Sequence, residues 1–260
     1  MAYILFREVV EKAQSLILGL KGYSDAGLIT TYSIEYLIKK FEAEKIGCFK
    51  KEFYDYSVNR PFIVVEDGII RNLKPPTTEV FYSKNLKTVF VYGSEPNLNW
   101  YEFVDGVLSL IKRFEVKNVY SLGGLIDYVR EPRVSGVVNN EKLKKVLIGL
   151  GVELVNYEGP SSIYSLLLNE ISKIGVEAVS LWGHVPYKNY VASTQLGTPD
   201  VITAYQLLEK LNLLAKLGLD LDELLDECRR FEKRMDDLIR SEQRIRVLRP
   251  DRSEGPPYIA

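Results

Sequence analysis

Short apolar runs along this chain are each followed by a polar loop that contains glycine or proline, and then by residues spaced as in a helix. Four runs show this pattern, at residues 16–20, 119–122, 152–155 and 178–182. Uninterrupted apolar strands are typical of a parallel sheet covered by helices on both faces. We therefore predict an α/β fold with a mainly parallel sheet between helix layers. Functional side chains are expected in the four loops, because such folds place their sites at the carboxyl ends of strands.

The segment near residues 46–82 has a different pattern, in which apolar and polar residues alternate. Asp67 and Gly68 separate two apolar runs, and this pair is a strong hairpin signal because both residues tolerate a positive φ. We predict an antiparallel β insertion at one edge of the parallel sheet. Together, the sheet, its helices and the insertion form a predicted core over residues 1–198.

The last third of the chain is predicted to be a pair of helices over residues 199–246, followed by a mobile tail at 247–260. Asp220 begins the second helix in a sequence that resembles a capping box. The apolar residues of this helix form one stripe opposite many charged residues, so it buries a single face. We expect part of the stripe to remain uncovered and to bind another copy or a partner protein. The residues assigned to this contact are Leu224, Leu225, Phe231 and Leu238.

Composition restricts the classes of partner. The 34 Lys and Arg residues nearly balance the 35 Asp and Glu residues, which leaves a formal net charge of −1. Without a positive field, nucleic acid and anionic membranes are not expected partners. No apolar stretch reaches the roughly 18 to 20 residues of a membrane span. Cys48 and Cys228 lie far apart in the sequence and form no CxxC motif. We expect a soluble, cytoplasmic protein.

The first loop has two interpretations. Residues 22–27 show the glycine spacing of a phosphate-binding loop, but Leu28 and Ile29 occupy the positions where a lysine and a hydroxyl are needed. The simpler interpretation is a tightly packed strand-to-helix turn, in which Ser24 or Asp25 caps the helix.

Three further residues have both a structural and a catalytic interpretation. Ser161 and Ser162 precede a predicted helix, where serines commonly cap the first turn. His184 lies in a loop after an apolar strand and is the only histidine of the chain. A structural hydrogen bond explains His184, and the alternative is proton transfer to or from one of the two serines.

Glycines and arginines complete the set of candidate loop residues. Gly123 and Gly124 form the loop after the second apolar run, and Arg130 and Arg133 lie in a predicted irregular loop at 129–139. The arginines are interpreted as solvated charges, or as partners of carboxylates at a subunit boundary or in a small anionic ligand. One His and two distant Cys residues do not supply a metal site, and no cofactor is expected.

Five motifs in this order and spacing resemble those of the PAC2 family, which includes the proteasome assembly chaperones and their archaeal and actinobacterial relatives. The resemblance covers residues 16 to about 239. The motifs are Gly22-Tyr-Ser-Asp-Ala-Gly27, Leu122-Gly123-Gly124, Pro132-Arg133-Val134, Gly159-Pro160-Ser161-Ser162 and Ser180-Leu181-Trp182-Gly183-His184-Val185-Pro186.

The resemblance implies an α/β fold similar to that of nucleoside phosphorylases and peptidyl-tRNA hydrolases, without an established catalytic constellation. It also implies a homo-oligomer, with a trimer the expected form, and proteasome subunits as partners. Some members dock on the proteasome through a C-terminal tail. The corresponding residues here are Tyr258, Ile259 and Ala260, with the tyrosine third from the end instead of second.

The sequence therefore favours a non-enzymatic assembly chaperone or scaffold that binds proteins. The alternative is a hydrolase or transferase that acts on a small nucleoside-like or carboxylate ligand at the strand ends. Such an enzyme requires its polar side chains to converge in one cleft. Its expected residues are Asp25, Arg130, Arg133, Ser161 and His184.

Overall fold

A nine-stranded sheet forms the centre of the molecule. The computed structural model describes residues 2–6 and 11–248, and the side chains outside 242–248. Across the sheet the strand order is β1-β3-β6-β7-β2-β8-β11-β9-β10. The strands are β1 (Tyr3–Leu5), β2 (Ser15–Lys21), β3 (Glu44–Phe49), β4 (Phe62–Glu66), β5 (Ile69–Lys74), β6 (Thr78–Ser83), β7 (Thr88–Ser94), β8 (Asn118–Asp127), β9 (Arg133–Val138), β10 (Glu153–Leu154) and β11 (Glu177–Pro186).

The centre of the sheet is parallel and its flanks are largely antiparallel. Strands β7, β2, β8 and β11 run in the same direction, as the uninterrupted apolar runs predict. On one side, β6, β3 and β1 continue the sheet with antiparallel pairing. On the other side, β9 pairs antiparallel to β11, and β10 pairs parallel to β9. The fold is therefore a mixed α/β fold with a parallel centre.

Helices cover both faces of this sheet. One core cluster packs α2 and α4 against the sheet, and a second packs α1, α3 and α6 against the opposite face. Each layer buries the apolar stripe of its helices, which is the main stabilising contribution in a three-layer α/β fold. The helices are α1 (Ile29–Lys40), α2 (Trp100–Arg113), α3 (Glu141–Gly149), α4 (Ile163–Ser172), α5 (Tyr187–Leu196), α6 (Val201–Ala215) and α7 (Asp222–Leu248).

Three predicted loops are corrected by the structure. Residues 123–127 and 183–186 continue strands β8 and β11, so that Gly123, Gly124 and His184 lie in the sheet. Most of the predicted loop at 129–139 is strand β9, which begins at Arg133. Long neighbouring strands satisfy the backbone of these segments by pairing, which a loop-by-loop interpretation of glycine and proline does not anticipate.

The run at 152–155 also differs from its prediction. Only Glu153 and Leu154 pair as a strand, at the edge of the sheet, and both are exposed. At an edge, one side of the strand has no neighbour, so an apolar run there does not need to be a buried central strand.

The predicted β insertion is present and has two parts. Strands β3 and β6 join the antiparallel flank of the main sheet. Strands β4 and β5 form a separate two-stranded hairpin, with the predicted turn at Asp67 and Gly68, both of which have a positive φ. Within the described residues, β4 and β5 pair with each other and with no other strand.

The C-terminal helices α6 and α7 are attached to the core rather than separate from it. Helix α6 belongs to the same apolar cluster as α1 and α3, and Asp200 caps it by accepting hydrogen bonds from the backbone of Ile202 and Thr203. Helix α7 extends through residue 248, so the first two residues of the predicted tail are helical. The rest of that predicted tail lies outside the described residues.

Candidate functional site

The turn after β2 is held by Asp25. One oxygen of its carboxylate accepts hydrogen bonds from the backbone N–H groups of Thr30 (2.9 Å) and Thr31 (3.1 Å), and the other accepts one from the Thr31 hydroxyl (2.9 Å). Burial raises the pKa of Asp25 to about 6, against the opposing effect of these hydrogen bonds. Asp25 thus satisfies the free backbone donors at the start of α1, which is the geometry of a capped turn.

Ser24 is fully buried beside this turn. Its backbone carbonyl accepts a hydrogen bond from the N–H of Gly124 (2.7 Å) and another from the Thr30 hydroxyl (2.8 Å). These contacts join the β2 turn to strand β8, next to an isolated bridge between Asp25 and Gly124. The turn is therefore fixed to the neighbouring strand.

Gly123 and Gly124 allow close packing inside the sheet. A Cβ atom at Gly123 would lie 2.7 Å from the ring of Trp182, and one at Gly124 would lie 2.7 Å from Ile29. Both distances are shorter than a carbon–carbon contact permits. The absence of a Cβ atom at these two glycines therefore makes room for the side chains of Trp182 and Ile29. In the structure they are packing positions in β8 rather than residues of a ligand loop.

His184 lies at the centre of a chain of polar side chains that crosses three strands. Its Nδ1 atom is 2.8 Å from Oδ2 of Asp127 at the end of β8, and its Nε2 atom is 2.8 Å from Oγ of Ser135 in β9. The hydrogen bond with His184 is the main cause that lowers the pKa of Asp127, and Arg133 adds to it. A serine, histidine and aspartate in this order have the connectivity of a hydrolase triad.

Unlike the serine nucleophile of a hydrolase, Ser135 is not accessible to a substrate. Ser135 is 1% exposed and His184 is 5% exposed. A substrate carbonyl must come into contact with the serine oxygen, and these side chains are covered by protein. The structural hydrogen bond expected for His184 is present, and its two partners were not identified from the sequence.

The two candidate arginines lie in different environments. Arg133 bonds to Asp127 (3.0 Å) and to Glu153 (2.6 Å), and so links β8 to the edge strand β10. This is carboxylate pairing, made within one chain. Arg130 is exposed and has no ion pair within the described residues. Its assignment to an anionic ligand or a subunit contact stays a prediction.

Ser161 and Ser162 have different surroundings. Ser162 caps α4, with its hydroxyl accepting a hydrogen bond from the N–H of Tyr164 (3.3 Å). Ser161 is exposed and lines a cleft at the ends of β2 and β7. The Glu95 carboxylate lies between them and the β2 loop, and sequence reasoning did not identify it.

The candidate residues belong to different groups of contacts. His184 and Arg133 share the carboxylate of Asp127. Asp25 is bonded to the first turn of α1, and Ser161 faces the cleft beyond β7. The described residues hold no group of three or more His, Cys, Asp or Glu side chains that could bind a metal ion. Within the described residues, no hydrogen bond joins Asp25, Ser161 and His184 to one another.

Most of the apolar stripe of helix α7 is buried against neighbouring helices. Leu224 is 0% exposed and Phe231 is also buried, because the helix packs on α5 and α6. The prediction that these two residues are uncovered is wrong. Leu225 is 37% exposed and Leu238 is partly buried. A partner role for these two remains a prediction, as does docking by Tyr258, Ile259 and Ala260, which lie outside the described residues.

The largest concentration of exposed apolar side chains is on the β4–β5 hairpin. Adjacent residues on a strand point to opposite faces, and adjacent residues of this hairpin are both exposed, so neither face is covered. The exposed large apolar side chains of the hairpin are Phe62, Ile63, Val65, Ile69, Ile70 and Leu73.

Within the described residues, no helix is both long enough and apolar enough to cross a bilayer.

A mixed sheet between two helix layers, with a detached hairpin and polar side chains buried at its strand ends, defines a mixed α/β protein. The model of the PAC2 family matches residues 19–239, and the chain belongs to the PAC2 family. This confirms the resemblance stated from the five motifs.

Solved structures of related proteins have the same fold. A proteasome-assembly chaperone homologue from Mycobacterium tuberculosis is 26% identical, with a TM-score of 0.75 over 86% of this chain and 94% of that chain. A PAC2 family protein from Streptomyces avermitilis is also 26% identical, with a TM-score of 0.72 over 86% and 95%. A proteasome activator from Pyrococcus furiosus is similar in fold, with 18% identity and a TM-score of 0.69 over 91% and 97%.

Proposed function

We propose that this protein is a non-enzymatic assembly chaperone or scaffold that forms a homotrimer and binds other proteins, with proteasome subunits as the partner class. Membership of the PAC2 family supports this function. So does the description of the related M. tuberculosis protein as a proteasome-assembly chaperone homologue. The observation that carries the proposal is the uncovered β4–β5 hairpin.

A hairpin of two strands is marginally stable when nothing packs on it. Here both faces carry large apolar side chains, and Phe62 and Ile70 are 66% and 63% exposed. Exposed apolar patches of this kind mark interaction surfaces. Covering one such side chain contributes roughly 1.5 to 3 kcal/mol to association.

A second copy of the chain is the occupant that fits this hairpin. Both faces need cover, and a hairpin that projects between neighbouring copies in a closed ring is covered on both. The hairpin carries charges of both signs, among them Glu66 and Arg71, which form an ion pair of 3.5 Å. A surface of mixed charge suits contact with an identical surface better than contact with a strongly charged partner.

The double substitution Phe62→Asp and Ile70→Asp tests the hairpin contact. Light scattering should give a trimer for the unaltered chain and a monomer for the double variant, with unchanged circular dichroism. Ile148→Asp is the matched control, because Ile148 is 62% exposed on α3. It should remain trimeric. A monomeric unaltered chain, or a double variant of unchanged mass, would contradict this part of the proposal.

The proteasome is tested separately by affinity capture from the native cell extract. Mass spectrometry should identify proteasome α subunits with the full chain. Removal of residues 249–260 then distinguishes the two modes of binding: loss of the subunits assigns docking to the tail, and their retention assigns it to the folded body. If neither form recovers α subunits, the proteasome is not the partner.

The alternative function, a hydrolase or transferase, is favoured by one observation, the Ser135–His184–Asp127 chain. Its test is a fluorophosphonate probe, which labels serines that are activated by a histidine. Under the proposed function Ser135 stays unlabelled. Labelling that is lost in both Ser135→Ala and His184→Ala would favour the enzyme.

A further inference from the structure

A cleft of about 650 Å³ opens at the carboxyl ends of β2 and β7. Its volume is within the range of small-molecule sites in proteins. Lys21 at the end of β2 and Tyr23 in the loop after it contribute to the wall, and the loop after β7 contributes Glu95 and Asn97. Trp100, the first residue of α2, forms a further part of the wall.

The cleft lies where the chain reverses the direction in which it winds the sheet. Strands β2 and β7 are parallel neighbours. The helix that follows β2 is α1, which packs on one face, and the helix that follows β7 is α2, which packs on the other. The two loops therefore diverge and leave a crevice between them. In open α/β sheets, this position is where ligands bind.

Glu95 holds the floor of the cleft in a fixed shape. One oxygen of its carboxylate accepts a hydrogen bond from the N–H of Tyr23 (3.1 Å), and the other accepts one from the N–H of Ile163 (2.9 Å). The carboxylate thus ties the β2 and β7 loops to the start of α4. Gly22 has a φ of 147°, which side-chain-bearing residues rarely adopt, and a Cβ atom there would lie 3.1 Å from Glu95, so both features favour glycine.

The Trp100 side of the wall is also fixed in place. The Trp100 indole donates its N–H to the carbonyl of Pro96 (2.8 Å), which sets the plane of the ring while part of it remains accessible. Tyr23 is exposed on the opposite loop. A planar ligand that stacks on Trp100 meets a ring whose plane is already set, which reduces the ordering cost for the protein, and Tyr23 offers a second exposed ring.

Lys21 supplies a cation at the rim of the cleft. Its side chain is exposed, and it forms no ion pair with any residue that the structure describes. From this geometry we propose that the cleft binds a small planar aromatic compound that carries an anionic group. The ring stacks against Trp100 and Tyr23, and the anionic group pairs with Lys21.

The site is independent of the proposed protein-binding function, because the cleft residues are not those of the hairpin strands. Two probes separate the sources of the anion: 4-hydroxyphenylacetate carries a carboxylate, and adenosine 5′-monophosphate carries a phosphate. Neutral 4-hydroxyphenylacetamide and adenosine are their matched controls. Ligand-observed NMR on the full chain should show binding of at least one anionic probe with a Kd below about 1 mM, and weaker binding of its neutral control.

Substitutions assign the binding to the cleft. Lys21→Gln should weaken the anionic probe about fivefold, as expected for an exposed ion pair. Trp100→Leu should weaken the binding of both the anionic and the neutral probe. If the tryptophan variant does not fold, Tyr23→Ala replaces it, with the same expected result. Lys145→Gln, an exposed lysine on α3, should bind as the unaltered chain does. Absence of binding at millimolar probe, or binding that is insensitive to both Lys21→Gln and Tyr23→Ala, overturns the proposal. Either result leaves the oligomer test above unaffected.

Discussion

The Nε2 atom of His184 lies 2.8 Å from the Oγ atom of Ser135, and this contact joins β11 to β9 inside the protein. We expect His184→Ala to lower the free energy of unfolding by about 3 kcal/mol, because it opens a cavity and removes the hydrogen bonds that His184 makes with Ser135 and Asp127. Ser135→Ala should cost about 1 to 2 kcal/mol.

Urea denaturation measures both changes. Ser161→Ala is the control, since Ser161 is exposed, and its effect should stay within about 0.5 kcal/mol. If the His184 and Ser161 variants are equally stable, the hydrogen-bonded side chains of Ser135, His184 and Asp127 do not stabilise the strand ends.

Asp25 predicts a pH dependence of stability. Burial raises its pKa to about 6 in the folded protein, whereas an unfolded aspartate titrates near about 3.9. Between these values the folded state binds more protons, so this group's contribution to stability decreases as pH rises from about 4 to about 6, by up to about 3 kcal/mol. Asp25→Asn removes this contribution and keeps a group that accepts hydrogen bonds.

The measurement is the difference in free energy of unfolding between the unaltered chain and Asp25→Asn, at several values from about pH 4 to about pH 7. Burial also raises the pKa of Glu95 and of Asp200, but both residues are present in the two proteins and their contributions cancel. A difference that does not fall with rising pH would show that Asp25 is not buried as an acid.

Neighbouring leucines of α7 should respond differently to truncation. Leu224 is fully buried, so Leu224→Ala should lower the free energy of unfolding by about 2 to 5 kcal/mol. Leu225 is 37% exposed, and Leu225→Ala should cost less than about 1 kcal/mol. Urea denaturation at a fixed protein concentration compares them. Similar losses would mean that α7 packs on the core through a different face.

Gly93 is expected to be intolerant of a side chain. Its φ is 143°, and a Cβ atom there would lie 2.1 Å from the backbone oxygen of Thr77. We expect Gly93→Ala to cost more than about 2 kcal/mol, because a backbone atom cannot move away as a side chain does. Gly149→Ala is the control: it has open space around it at the end of α3, and should stabilise the helix by up to about 1 kcal/mol. Thermal denaturation ranks the two, and the reverse order would contradict the packing at the end of β7.

The parallel centre of the sheet was predictable because its strands are apolar on both faces, as in residues 16–20. The hairpin at Asp67 and Gly68 was predictable from turn chemistry alone. Helix α5 was not found, because its inward positions include Asn189 and Ser193, so it has no clear apolar period.

The polar network at the strand ends was harder to predict, for a topological reason. Ser135 meets His184 because β9 returns antiparallel beside β11, which sets residues 133–138 opposite residues 179–184. Nothing local in the sequence specifies that pairing. Glu95 was missed for a similar reason, since its partners at Tyr23 and Ile163 come from two other loops.

The β4–β5 hairpin is inserted between β3 and β6, and within the part of the chain that the structure describes it pairs with no strand of the nine-stranded sheet. Its sequence and length are therefore free to change while the registers of β3 and β6 are kept. Related chains that share this scaffold are expected to differ most at this segment, and exchanging it between them is a direct way to transfer assembly behaviour from one to another.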